Sequence, residues 1–187
     1  MKVDAAGAAS GRGMPGLRGL EHVGLTVPNL EEAVRFFCDV IGCEHVLDAG
    51  TVAGAEMMST RLNVDPAATM RYCFLRCRHG TNLELFEYAA PEQRLVPPRN
   101  SDIGGHHLAF YVDDIAPAVA HLRAHGVRLL GEPSTIADGP AAGTDWVYFL
   151  APWGLQLELL SYPNGKGPAD SPARRLWNPT RPEVWPA

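Results

Sequence analysis

Two histidines and two glutamates of this 187-residue chain stand in matching surroundings. His22 begins HVGLTVPNL and His107 begins HLAFYVDDI, and one constant offset sets His22, Val27 and Leu30 on His107, Val112 and Ile115. Glu84 lies within NLELFEY and Glu158 within LQLELLSY. A glutamate among alternating apolar residues is costly to bury unless it is paired or holds a metal. Two imidazoles and two carboxylates related by an internal repeat make a donor set of two nitrogens and two oxygens. Such a set suits one divalent transition metal: zinc, nickel, cobalt, manganese or iron.

The elements that must position these groups also repeat. Leu20–Val27 alternates as a strand does, Asn29 is placed to cap a helix through NLEEAVRFFCDVIG, and Gly42 ends it. Short strands follow at Glu44–Leu47, Arg71–Arg76 and Asn82–Tyr88, with a loop over 50–69 and a short helix near Ala55–Leu62. After the connection APEQRLVPPRNSDIGG the order recurs. A strand at His107–Val112 leads to a helix capped by Asp113 or Asp114, then to strands at Val127–Leu130, Asp145–Leu150 and Gly154–Tyr162. The expected fold is therefore α+β, with two tandem βαβββ modules, 19–90 and 104–163, forming an open cup-shaped mixed sheet. Residues 1–18 read as a flexible arm, 19–163 as one domain and 164–187 as a proline-rich tail.

Strand side chains alternate between faces, which assigns neighbours to the four groups. His22 shares a face with Gly24 and Thr26, and Glu84 with Phe86 and Tyr88. His107 goes with Ala109 and Tyr111, and Glu158 with Leu160 and Tyr162. Thr26, Phe86, Tyr88, Tyr111 and Leu160 are the candidate substrate pocket. The opposite positions, Val23, Leu25, Val27, Leu108, Phe110 and Val112, are apolar and suit packing under a helix.

Composition narrows the partners. A net charge of −5 and a pI near 5.8 leave no basic face for nucleic acid. No apolar run reaches the roughly 18 residues of a membrane span, and the opening residues lack a signal peptide's apolar core, so cytoplasm is expected. Cys38, Cys43, Cys73 and Cys77 form no CxxC pair and read as thiols rather than a disulfide or a zinc site. His121 and His125 lie four apart but lack the glutamate of HExxH, and read as a solvated helix face. His106 points away from His107. The tail holds Arg174, Arg175, Trp177 and Trp185 among five prolines, and is expected to lie on the body or on a partner in a homodimer.

The stretches LEHVGLTVPNLEEAVRFF, NLELFEY, GGHHLAFYVDDIAPAVAHLRAHGV and YFLAPWGLQLELLSYP together resemble the vicinal oxygen chelate superfamily over roughly Gly19–Pro163. That superfamily includes glyoxalase I, methylmalonyl-CoA epimerase, extradiol dioxygenases and bleomycin-resistance proteins. The resemblance implies metal ligands on the first and last strands of each module, here His22, Glu84, His107 and Glu158. It also implies two coordination positions left for water or for vicinal oxygens of a small-molecule substrate. Extradiol dioxygenases use only three ligands and drug-binding members generally lack the set, so a fourth ligand at Glu84 favours the lyase, isomerase and epimerase branch. The implied chemistry is proton abstraction next to a carbonyl, with Glu158 as the first candidate base and Glu84 the second.

Overall fold

A computed structural model of the chain describes residues 14, 15, 17 and 19–165. The first half runs β1 (His22–Thr26), α1 (Leu30–Arg35), β2 (Glu44–Val52), β3 (Thr69–Arg76) and β4 (Asn82–Ala89). The second runs β5 (Leu108–Tyr111), α2 (Ile115–Ala124), β6 (Arg128–Leu129), β7 (Ser134–Thr135), β8 (Asp145–Leu150) and β9 (Gln156–Ser161). This is the expected α+β fold with its repeated βαβββ order, plus the short β7 on the edge of β8. The roles expected of Arg174, Arg175, Trp177 and Trp185 lie outside the described residues.

Local chemistry starts both helices alike. The Asn29 side chain accepts from the Glu32 amide at 2.7 Å, and Asp114 accepts from the Ala116 amide at 2.9 Å. The Glu87 carboxylate on β4 adds a second acceptor for α1, taking the Leu30 amide at 2.6 Å. It shares Arg71 with Glu31, whose carboxyl the guanidinium holds below its ordinary pKa. Past Arg35 the winding loosens into a π-helix over Phe36–Ile41, which ends at Gly42 with φ +88°. The expected helix near Ala55–Leu62 is a second π-helical turn, Met57–Arg61.

The first sheet has the order β1-β4-β3-β2, with β1 parallel to β4 and the other pairs antiparallel. The second has the order β5-β9-β8-β6, with β5 parallel to β9. The two sheets are not joined edge to edge. Instead one core lies between them: Leu25, Leu83 and Leu85 from the first sheet, Phe36 and Phe37 from the π-helix, Val119 and Leu122 from α2, and Phe149, Leu157 and Leu159 from the second sheet. Trp153, in the turn between β8 and β9, meets the Phe36 ring edge-on at 5.8 Å and the Phe37 ring at 6.0 Å. Both helices thus sit inside, between the sheets. Cys43 and Cys77 bring their sulfurs to 2.6 Å in the first module, and all four cysteines are thiols.

Phe37 is wholly buried where the two modules meet. Phe37→Ala is expected to lower unfolding stability by about 3–5 kcal/mol, read as a shift in the urea midpoint at unchanged slope. A loss below about 1 kcal/mol would contradict a single shared core.

Candidate metal and substrate site

The strand alternation that fills the core also fixes what faces away from it. Leu25, Leu83, Leu85, Cys73 and Leu75 point inward, so His22, Thr26, Glu84, Phe86, Tyr72 and Phe74 occupy the outer face of the first sheet. Likewise Val147, Phe149, Leu157 and Leu159 point inward, which leaves Trp146, Tyr148, Glu158 and Leu160 on the outer face of the second. His107 sits just before β5 on that same outer side, in contact with Glu158.

Each module forms one histidine–glutamate pair. His22 Nε2 lies 3.1 Å from Glu84 Oε2, and His107 Nε2 lies 3.0 Å from Glu158 Oε2. The glutamates are the covered partners, with 14% and 12% of their side chains exposed. An aromatic ring completes each pair from the neighbouring strand. Phe74, opposite Glu84 in the register, meets His22 edge-on at 5.7 Å, and Tyr148, opposite Glu158, meets His107 at 5.2 Å. Phe74 and Tyr148 were not singled out from the sequence, although YCFLR and DWVYFL show them on alternate positions.

Two further residues orient the imidazoles. The Glu21 carboxylate pairs with His22 Nδ1 and the Asn82 amide, turning Nε2 toward Glu84. Its bond raises the His22 pKa above the ordinary imidazole value, with Glu84 adding to the effect. Burial pushes the Glu84 carboxyl upward, against the lowering pull of His22. In the second module the Asn100 side-chain amide lies 3.4 Å from His107 Nδ1. Glu21 was legible only as the residue before His22, and Asn100 comes from a connection with no periodic pattern.

The spacing within each pair suits metal ligation. Two donors held side by side on one octahedral ion at about 2.1 Å stand about 3.0 Å apart. The donor types fit too, since imidazole nitrogen and carboxylate oxygen suit divalent transition metals, and a carboxylate bonded to the far ring nitrogen is a common support for a ligating histidine. What the chain does not do is bring all four groups to one point. Among the described residues, the group of three or more histidine, cysteine or acidic donors within 4.8 Å of one another is His45, Asp48 and Cys73. In that group Asp48 is exposed, while burial pushes the Cys73 thiol up to about 11, away from the thiolate a metal would need. It is a poorer cation site than either outer-face pair. The four groups stand as two histidine–glutamate pairs, one on each module.

The expected pocket residues divide along the same line. Thr26, Phe86 and Tyr88 lie together on the first outer face, where Phe86 and Tyr88 stack at 5.8 Å. Gly24 leaves room there, since a Cβ at that position would come 3.2 Å from the Phe86 ring. Tyr111 and Leu160 line a separate cavity of about 870 Å³ between the two modules, whose other wall includes Val23, Gly42, Arg78 and Leu83, and Tyr111 packs on Tyr162 at 5.0 Å. His106 donates to the Gly104 carbonyl at 3.1 Å and takes no part in either pair. His121 is not simply solvated, because its Nε2 donates to the Val40 carbonyl at 2.9 Å, tying α2 to the end of the π-helix. His125 donates to the His121 carbonyl and stacks on its ring at 4.2 Å.

Paired βαβββ modules, each with a histidine at its start and a glutamate on its last strand, define the class of fold. Comparison with known proteins agrees. The family model of the Glyoxalase/Bleomycin resistance protein/Dioxygenase superfamily matches residues 21–149, and the chain belongs to that superfamily. It is 52% identical to 2-epi-5-epi-valiolone epimerase from an Actinomyces species over 171 residues, covering 91% of this chain and 93% of that protein. It is 31% identical to the Escherichia coli K12 protein YaeR over 146 residues, 78% of this chain and 98% of YaeR. A glyoxalase family protein from Bacillus cereus shares the fold with a TM-score of 0.62 at 18% identity, over 80% of this chain and 98% of that one. Among the described residues no helix is long and apolar enough to cross a membrane.

The bond from His121 belongs to the seam and not to the site. His121→Ala is expected to cost about 0.5–1.5 kcal/mol of stability and to leave metal content unchanged, measured by denaturation and by elemental analysis of one preparation. Loss of metal in this variant would contradict the assignment.

Proposed function

We propose that this protein is a metal-dependent epimerase that acts on 2-epi-5-epi-valiolone or a closely similar small molecule with a second oxygen beside its carbonyl. The observation that carries this reading is the matching pair in each module, His22 with Glu84 and His107 with Glu158, at the spacing of adjacent metal ligands. The substrate rests on the 52% identity to an epimerase of that name across nearly the whole chain. His22 with Glu84, and His107 with Glu158, are the residues that would hold an ion. When bound, the metal supplies Lewis acidity toward the carbonyl oxygen and its neighbour.

The chain's own residues supply the rest. Glu158 takes the proton from the carbon next to the carbonyl, and the C–H electron pair moves into the bond to the carbonyl carbon. Return of a proton to the opposite side of that carbon inverts the centre, with no net oxidation or reduction. Glu84 is the second candidate for that base. Glu21 and Asn100 hold the two imidazoles in orientation, and Phe74 and Tyr148 shield the pairs from water. Phe86 and Tyr88 offer apolar surface against which a small ring lies.

Epimerisation in deuterium oxide tests this route. Product carrying deuterium at the inverted carbon is expected, and Glu158→Ala and Glu84→Ala should each lower kcat/KM by more than about a hundredfold. Unlabelled product would exclude proton abstraction. Oxygen uptake with a catechol that survives Glu84→Ala would assign the chain to ring cleavage instead.

A further inference from the structure

We propose that Cys43 and Cys77 form a reversible disulfide when the chain meets a peroxide, which makes the pair an oxidisable site on the wall of the cavity between the two modules. The inference is independent of the metal reading above. Strands β2 and β3 pair antiparallel, with Glu44 opposite Arg76 and His45 opposite Leu75. Cys43 comes one residue before Glu44 and Cys77 one residue after Arg76, so the same register sets the two cysteines directly opposite each other. An ion pair between Arg76 and Glu44 clamps that end of the ladder. Opposed residues of an antiparallel pair stand about 4.5–5.5 Å apart at Cα, within the range of about 4.4–6.8 Å that a disulfide spans. The two sulfurs lie 2.6 Å apart as thiols, with nothing between them. The backbone already stands where the bond needs it.

The two thiols are unlike, and the difference gives each a role. Cys43 is buried, and its amide is held by the Phe37 carbonyl at 2.8 Å. Cys77 is half-buried and opens the turn that the Gly80 amide closes on the Cys77 carbonyl at 2.8 Å. Both line the cavity of about 870 Å³ beside Gly42 and Arg78, which gives a small oxidant a way in. The Arg78 guanidinium reaches over Gly42, 3.8 Å from where a Cβ would stand, and so brings positive charge beside the pair. The Cys43 thiol donates to the Cys77 sulfur and holds the Cys77 pKa below its ordinary value, while the Cys43 pKa is pushed up. Cys77 is therefore the attacking thiolate and Cys43 the thiol that resolves it. The other two cysteines lack this setting. Cys73 is wholly buried with its thiol pushed up to about 11, and burial also raises the Cys38 thiol.

The chemistry balances in two steps. The Cys77 sulfur bonds to one oxygen of hydrogen peroxide, the O–O bond breaks, and the other oxygen leaves as water with the proton lost from Cys77. The Cys43 sulfur then bonds to the Cys77 sulfur, the S–O bond breaks, and the hydroxyl leaves as water with the Cys43 proton. Two thiols and one peroxide give one disulfide and two waters, and two electrons pass from sulfur to oxygen. An external dithiol reverses the bond by exchange. The closed bond ties the end of the π-helix to the turn between β3 and β4, across 34 positions of sequence.

Counting thiols in the full chain tests the site. Protein treated with hydrogen peroxide while folded, then denatured and titrated, is expected to show two thiols where the untreated chain shows four. Dithiothreitol should restore all four, and peptide mapping should find Cys43 joined to Cys77. The oxidised form should melt about 5–15 °C higher, because the bond closes a long loop in the unfolded chain. Cys77→Ser should keep three thiols before and after peroxide, and Cys43→Ser should stop at a sulfenic acid on Cys77 that dimedone captures. Cys38→Ser, which leaves the pair intact, should fall from three thiols to one and checks the site should either of the other variants fail to fold. Four thiols surviving peroxide in the wild type would overturn the proposal. So would a bond to Cys38 or Cys73, a bond between two chains, or Cys77 passing to sulfinic acid with Cys43 still free.

Discussion

The packing of both helices between the two sheets is the constraint from which the rest follows. Strand residues alternate, so committing Leu25, Leu83, Leu85, Phe149, Leu157 and Leu159 to a common core leaves their neighbours no choice of side. Those neighbours include His22, Glu84, His107 and Glu158. The core also needs an anchor across its middle, and Phe36 and Phe37 against Trp153 provide it. The π-helical winding lets both of these consecutive rings be buried, which a regular helix, turning about 100° per residue, makes harder. The His121 bond to Val40 closes the same seam from α2.

On the outward faces the repeat becomes a symmetry of chemical groups. Each module offers the same four parts: an imidazole, a covered carboxylate, an aromatic ring on the neighbouring strand and a polar group behind the imidazole. The parts are equivalent in kind but not in chemistry. Glu21 behind His22 is a charged acceptor and raises its pKa, whereas Asn100 behind His107 is a neutral amide. The ring beside His22 is a phenylalanine and the ring beside His107 a tyrosine. Two carboxylates in unlike settings can differ in their affinity for a proton. A duplicated module whose halves have diverged supplies them.

Much of this was legible in the sequence. The alternation around His22 and His107 placed both faces correctly, Asn29 and Gly42 marked the ends of the first helical segment, and Asp114 was one of two caps considered for the second. Three features were not legible. Nothing in FFCDVIG distinguishes a π-helix from an α-helix, because the inserted turn is set by what the rings pack against. Asn100 reaches His107 from an irregular connection, which carries no period to read. Above all, alternation says which residues share a face and not what covers that face.

X-ray absorption at the zinc edge of the metal-loaded protein tests the central claim most directly. The account predicts a first shell of nitrogen and oxygen donors only, with outer scattering from imidazole. A sulfur neighbour at about 2.3 Å would place the ion with Cys73, His45 and Asp48, and would contradict it.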